Sequence, residues 1–405
     1  MQLSTPSGAH LTYCTNVHPG ETLPAVRELV KRHVTAVKAS VSPEQRFGVG
    51  LRLAAAAADA LSDQAELERF ELELAAEDLY CFTLNGFPYG AFHGTRVKED
   101  VYLPDWLAPQ RVRYTEALAR VLAELLPPDV EGSISTVPGC FKPNARTALD
   151  EQRMAHAMID VVSSLIGVER ERGKTIALAL EPEPECFLET TAEAVRFFEA
   201  RLLEREALDR LAKLARVELG EAERLLRRHL GVCLDTCHAS VEFEAPLDAW
   251  RRLERAGISV PKVQISAGLR VPEATPDRLQ ALRAFAEGVY LHQTVVRSDD
   301  GLTRYLDLPD ALAAGAAAGA EWRVHFHVPI FLQELGAFES TQADLVPLLR
   351  ALAVAPERPH LEVETYTWDV LPAAFRDVPV EQAIARELAF VQATLAGAAP
   401  HGDRA

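Results

Sequence analysis

Residues 175–184 read TIALALEPEP, and this stretch decides the fold. An apolar, strand-like run passes directly into Glu181, Pro182, Glu183 and Pro184. Proline donates no ladder hydrogen bond, so a strand must end here with two carboxylates at its C-terminal end. Outward from it the same unit repeats. Strand-like pieces are LTYCT (11–15), FGVGLRL (47–53), LYCFTLN (79–85), GSISTVP (132–138), GVCLDTC (231–237), KVQIS (262–266), RVHFHVP (323–329) and HLEVET (360–365). Helical spacing of apolar residues fills 23–37, 111–126, 191–215 and 246–257 between them. Strand followed by helix, over and over, predicts a parallel sheet.

The faces of the later strands choose between an open and a closed sheet. Leu178 and Leu180, Val263 and Ile265, Val324, Phe326 and Val328, and Leu361 and Val363 form one apolar set. Opposite them stand Ala179 and Glu181, Gln264, His325 and His327, and Glu362 and Glu364. An open sheet covered on both sides carries continuous apolar runs. A barrel faces its helices with apolar residues and can turn polar inside toward its mouth, so the expectation is an α/β fold, a (β/α)8 TIM barrel. With TIALALE the strand-like segments outnumber the eight places by one, so either RVHFHVP or one early segment lies outside the wall. VYLHQTVVRSDDGLTRYLDL (289–308) places two β-like runs around Asp-Asp-Gly, an inserted hairpin near the mouth. One domain is expected over 1–395, with an insertion at about 270–322 and a loose tail at 396–405.

Composition narrows the function classes. Hydrophobic residues at 48% and charged residues at 25% fit a globular chain with a sizeable core. A formal charge of −17 repels phosphate backbones, and the most basic stretch, RLLRRHLG (224–231), follows acids and reads as a solvated helix face, so no nucleic-acid partner is expected. LRLAAAAADAL (51–61) and DALAAGAAAGA (310–320) read as buried or half-buried helices, too short to span a bilayer, so no membrane insertion is expected. The N-terminal stretch lacks a basic start and apolar run, and the six cysteines form no CxxC pair; both predict a cytoplasmic protein with buried thiols.

The chemistry gathers at strand ends. Glu181, Asp235 in LDTCH, Gln264 and Glu364 in LEVET present carboxylate, carboxylate, amide and carboxylate at one height of consecutive barrel positions. Converging carboxylates repel unless a cation neutralises them, and oxygen donors suit Mn, Mg, Fe or Zn. Glu183 and His238 join them as candidate proton carriers, with His327 and His292 as further donors. Glu362 lies one layer deeper and reads as an interior ion-pair residue. Asn16, His18, Asn85, Tyr89 and His93 follow strand ends in Gly/Pro-rich loops and are candidate substrate contacts, as is His292. The plain alternative throughout is a set of salt-bridged rim residues and ordinary turn chemistry.

LEPEP resembles the IEPKP strand end of xylose isomerases, and LDTCH resembles the LDTFH strand end of ketose 3-epimerases. The likeness to this xylose-isomerase-like superfamily covers about 175–270 and 355–370. It implies Glu181, Asp235 and Glu364 as metal ligands, Gln264 where the epimerases have a ligand histidine, and His238 as a substrate contact or acid/base group. Two departures stand out: Glu183 replaces the lysine of IEPKP, and Gln264 is a neutral amide. YCTNVHPGET (13–22), FTLNGFPYGAFHG (82–94), VKEDVYLPDW (97–106) and STVPGCFKP (135–143) together resemble the EboE family of metabolite traffic proteins. That resemblance runs nearly full length and implies a link to secondary-metabolite biosynthesis or export, with proteins of the same gene cluster as partners.

The leading expectation is a divalent-metal-dependent isomerase or epimerase acting on a small polar metabolite such as a sugar. Glu183, His238 and His327 are its catalytic candidates. A metabolite-binding or carrier protein without turnover is the alternative that the two departures favour. A metal-dependent phosphoesterase, by likeness to endonuclease IV, is the third, with the acidic charge against a DNA substrate.

Overall fold

The strands of the described residues, numbered in chain order, are β1 (Leu11–Tyr13), β2 (Phe47–Arg52), β3 (Leu79–Asn85), β4 (Gly132–Thr136), β5 (Ile176–Leu180), β6 (Leu230–Asp235), β7 (Lys262–Ile265), β8 (Gly268–Val271), β9 (Thr294–Ser298), β10 (Gly301–Tyr305), β11 (Glu321–His327), β12 (Glu334–Leu335), β13 (Phe338–Ser340) and β14 (His360–Val363). This computed structural model describes residues 1–3, 8–315, 319–356, 359–376 and 378–397; most of the expected tail, from 398 on, lies outside the described residues.

Strands β1 to β7 and β14 form one all-parallel sheet in the order β1-β14-β7-β6-β5-β4-β3-β2. A parallel bridge between Cys14 and Gly50 closes it. Thr12 completes the seam: its hydroxyl donates to the Gly48 carbonyl at 2.7 Å and accepts from the Gly50 amide at 3.2 Å. The fold is a (β/α)8 barrel.

Helices cover the outside as the spacing predicts. Pro109–Leu125 starts on proline and buries Tyr114, Leu118, Val121, Leu122 and Leu125, one face of the helix. Ala148–Arg172 begins with a Thr147/Asp150 capping box and ends at Gly173 with φ 67°, a left-handed cap that glycine adopts without strain. The helix expected over 191–215 is two pieces, Thr191–Leu202 and Arg205–Ala215. The first ends in a wide π turn over Phe198–Leu202, which lets the adjacent Phe197 and Phe198 both be buried. Residues 51–61 are likewise not all helix, since Leu51 and Arg52 finish β2 before the helix Ala55–Ala60. In 310–320 the helix Leu308–Ala314 stops at Gly315, and 316–318 lie outside the described residues.

The barrel interior is polar. Lys262 and Glu362 pair at 2.6 Å with neither side chain exposed, and Lys262 Nζ also lies 3.3 Å from Ser135 Oγ. A Cβ at Gly50 would overlap the Glu362 carboxylate, so only glycine fits opposite it. The ninth strand-like segment is also resolved. RVHFHVP lies outside the wall as β11, the middle of a second, antiparallel sheet of order β10-β9-β11-β8-β13-β12. The inserted hairpin is the β9–β10 pair of that sheet. All these strands lie between β7 and β14 in the chain, so the second sheet stands at the barrel mouth, where the Val328 amide meets the Ala267 carbonyl at 2.9 Å.

Candidate functional site

Glu181 follows β5, Asp235 ends β6, Gln264 lies in β7 and Glu364 follows β14, and all four side chains are buried. One oxygen from each of Glu181, Asp235 and Glu364 lies within 4.8 Å of the others. Amide groups fix this cluster. Glu364 Oε1 accepts from Asn16 Nδ2 at 2.7 Å, Asn85 Nδ2 at 3.0 Å and Gln264 Nε2 at 3.3 Å. Asp235 Oδ1 caps the helix Thr236–Val241 through the His238 amide at 2.9 Å and accepts from Ser266 Oγ at 2.7 Å. This cap is the turn that brings Asp235 and His238 to one pocket despite their spacing on the chain.

What remains is acceptor without donor. Glu181 Oε2, Asp235 Oδ2 and Gln264 Oε1 are buried with no hydrogen-bond partner. Burial raises the Glu181 carboxyl above its ordinary range, with Asp235 adding to it against the opposing pull of His238. Burial, then Glu181 and Asp235, drive Glu364 well above its own. Unpartnered buried oxygens and mutually repelling carboxylates are the environment a divalent cation relieves, so these residues fit one.

Beside the cluster, Glu183 Oε1 accepts from Tyr102 OH at 3.0 Å and Gln293 Nε2 at 3.2 Å, and burial raises its carboxyl. His238, His325 and His327 face one another. His238 Nε2 is 3.0 Å from His325 Nε2, which is 3.2 Å from His327 Nε2. Burial holds His327 down to about 4 and His325 well below its ordinary value, whereas the carboxylates of Asp235, Glu183 and Glu181 outweigh burial at His238 and raise it.

A cavity of about 510 Å³, counted to its open mouth, lies over this floor, and Asn16, Asn85, Glu181, Glu183, His238, His325 and Glu364 line it. Its walls are aromatic: Phe87, Phe92, Tyr102, Tyr290 and Tyr366. Four sequence-derived contact candidates lie elsewhere. His18 is stacked on His33 at 4.1 Å, Tyr89 packs edge-on to Tyr114, and His93 bonds the Asn16 carbonyl at 2.6 Å and so braces the loop carrying Asn16. His292 is held by Glu287 at 2.8 Å and the His325 carbonyl at 3.1 Å, behind the wall. Of that group Asn16 and Asn85 line the cavity. Sequence reasoning gave no role to Tyr102, Gln293 or Tyr366, which come from the end of the short 3-10 helix Lys98–Tyr102, the residue before β9 and the start of the 3-10 helix Tyr366–Val370. His325 did carry a signal, the His-x-His spacing that puts both rings on one strand face.

No family model matches the chain, and no curated protein does. Solved structures similar to it include the probable 3-DHS dehydratase AsbF involved in petrobactin synthesis from Bacillus anthracis, at 12% identity over 94% of this chain and 98% of that one, TM-score 0.45. The IOLI protein with a binding zinc atom matches at 11% identity over 95% and 97%, TM-score 0.46. A xylose isomerase domain protein from Planctomyces limnophilus matches at 12% identity over 96% and 99%, TM-score 0.49. The barrel assignment itself rests on the strand order and register of this chain. No helix among the described residues is long and apolar enough to cross a membrane.

Proposed function

We propose that the protein is a divalent-cation-dependent isomerase or epimerase acting on a small metabolite with adjacent oxygens and an apolar body. One observation carries this reading: Glu181, Asp235 and Glu364 converge beneath an aromatic-walled cavity, and Glu181 Oε2 and Asp235 Oδ2 are buried there without a partner. Glu181, Asp235 and Glu364 would hold the cation, with Gln264 Oε1 as a neutral fourth donor. Bound there, a divalent cation supplies a Lewis acid that polarises a carbonyl or hydroxyl.

The chain's own groups do the rest. Asn16 and Asn85 orient Glu364. Glu183 lines the cavity, its carboxyl raised by burial, and Tyr102 and Gln293 hold it in place. Of the three catalytic candidates it receives the proton transfer. His238 and His327 have Nδ1 bound to backbone carbonyls and Nε2 turned toward another imidazole, which leaves neither with an N–H to offer substrate. The aromatic walls favour a body less polar than a free sugar. Lys98, which also lines the cavity, is already paired with Asp307 at 2.5 Å, and this disfavours a phosphoester substrate. The likeness of the N-terminal motifs to EboE proteins supports a place in secondary-metabolite biosynthesis or export beside products of the same gene cluster. Six free, buried cysteines support a reducing, cytoplasmic setting.

The test is proton exchange. Protein loaded with Mn(II) and incubated in D2O with a panel of α-hydroxy carbonyl compounds of graded apolar size is expected to place deuterium on the carbon beside the carbonyl, read by NMR. Glu183→Gln is expected to abolish exchange without abolishing binding. A compound that binds but exchanges no proton, across the whole panel, would favour the carrier without turnover.

A further inference from the structure

Asn16 and Asn85 both donate to Glu364, yet only one of the two amides is satisfied at both ends. Asn85 Oδ1 accepts from the Phe87 amide at 3.1 Å. A backbone N–H only donates, so the Asn85 side chain is fixed with Nδ2 toward Glu364 Oε1, 3.0 Å away. That carboxylate oxygen is therefore an acceptor, and Asn16 also meets it with Nδ2, at 2.7 Å. Asn16 Oδ1 is what remains. It is buried without a hydrogen-bond partner, while Asn16 itself lines the cavity and is 2% exposed. The residue is not slack: it sits in the 3-10 helix Thr15–Val17, and His93 Nε2 holds its carbonyl at 2.6 Å.

A buried acceptor with no donor is unfavourable, and folded proteins leave few of them. The cavity's own donors are turned elsewhere. Tyr102 OH donates to Glu183, Tyr290 OH to the Phe92 carbonyl and Lys98 Nζ to Asp307. Lys98 is also the one lysine or arginine among the described residues lining the cavity, against Glu181, Glu183 and Glu364. A carboxylate or phosphate placed beside Asn16 meets like charge and an acceptor, whereas a hydroxyl placed there finds the partner that its proton needs.

We propose that Asn16 is a specificity-determining residue: its Oδ1 accepts from a hydroxyl of the substrate, which is a polyol at its polar end and carries no anionic group there. This rests on the isomerase or epimerase reading and narrows its substrate class. The two ends of one planar amide fix the place. Nδ2 is on Glu364, a member of the cation cluster, so the hydroxyl that Oδ1 accepts from lies next to the oxygens that chelate the cation. The aromatic walls take the apolar body, so the two halves of the cavity read the two halves of the molecule. Hydrogen, an ether or a phosphate ester at that carbon leaves Oδ1 without a donor, and a site built to bond a hydroxyl rejects analogues that lack it.

The test is isothermal titration calorimetry of the full, Mn(II)-loaded chain with matched α-hydroxy ketones of graded apolar size, each made with hydroxyl, hydrogen, methoxy or phosphate on the carbon next to the ketol. Wild type is expected to bind the hydroxyl members at least about tenfold more tightly than their matched partners. Asn16→Leu keeps the side-chain shape and is expected to flatten that ranking to within about threefold, whereas Asn85→Leu, which also removes a donor from Glu364, is expected to keep it. Losses that act through Glu364 weaken every member of a matched set alike and arise in both variants, so the ranking isolates Oδ1. Circular dichroism checks that each variant is folded, and the wild-type ranking needs no variant at all. No preference for the hydroxyl in wild type, or a preference that survives Asn16→Leu, would overturn the assignment and leave the cation-dependent reading standing. Mn(II) affinity falling far more in Asn16→Leu than in Asn85→Leu would overturn it too, by making Oδ1 a cation ligand. Mn(II) bound with no ketol bound would sink the isomerase reading, and this assignment with it.

Discussion

Lys262 and Glu362 form a 2.6 Å ion pair wholly inside the barrel, Lys262 two residues before Gln264 on β7 and Glu362 two residues before Glu364 on β14. The pair is the floor on which the carboxylate cluster rests. Lys262→Met leaves a buried carboxylate without its counter-charge and is expected to lower unfolding stability by about 3–5 kcal/mol in urea titrations. Lys262→Met combined with Glu362→Leu is expected to recover most of that loss. A double variant as unstable as the single one would show that the charge is not the cause.

Gly50 is expected to tolerate no side chain. Its missing Cβ makes room for the Glu362 carboxylate and the Tyr13 carbonyl, so Gly50→Ala forces a shift at the barrel seam. A loss of about 1–3 kcal/mol is expected from overpacking. Equal stability by denaturant titration would mean that Glu362 has another place to go.

Metal-stripped protein is expected to lose stability as pH rises. Glu181 and Glu364 carry carboxyl groups raised above the ordinary 4.5 by burial and by their neighbours, so the folded state holds their protons more tightly than the unfolded chain. Their contribution is complete below the unfolded value and is lost as pH climbs through the folded values. Thermal melts in chelator should therefore fall with pH more steeply in the wild type than in Glu181→Gln/Glu364→Gln. Saturating Mn(II) should reverse the wild-type trend, because the cation binds the ionised form. Parallel curves for wild type and double variant would contradict this.

Glu387 offers a control away from the cluster. Burial raises it to about 7 despite bonds from Thr365 Oγ1 at 2.7 Å and the Ile330 amide at 3.2 Å. A raised carboxyl stabilises the fold while protonated and loses that contribution as pH rises from the unfolded value through about 7. Glu387→Gln is expected to gain on the wild type by on the order of 3 kcal/mol between about pH 4 and pH 8, whatever its offset at low pH. A stability difference independent of pH would refute this.

The barrel and the depth of its carboxylates were legible because strand periodicity fixes which residues share a face. Glu181, Gln264 and Glu364 each follow from a period of two and a strand end, and Glu362 one layer deeper follows from the same rule. The seam at Thr12 was not legible, since a threonine replacing ladder bonds looks like any polar residue of a strand. Nor was the place of β11, because a half-polar strand fits a barrel wall and a separate sheet equally well. His18, Tyr89, His93 and His292 illustrate a different limit. Loop position predicts nearness to the mouth, while the direction of the side chain depends on partners such as His33, Tyr114 and Glu287 that are remote or unremarkable in sequence. Tyr102 and Gln293 reach Glu183 from segments with no periodic pattern to mark them.

The most direct test of the central claim is a Mn(II) titration of tag-free, chelator-stripped protein followed by electron paramagnetic resonance. One tightly bound equivalent is expected in the wild type, weakened at least about tenfold in Glu181→Gln and in Glu364→Gln, changes that keep shape and remove charge. No bound manganese in the wild type, or equal binding in both variants, would contradict a cation held by Glu181, Asp235 and Glu364.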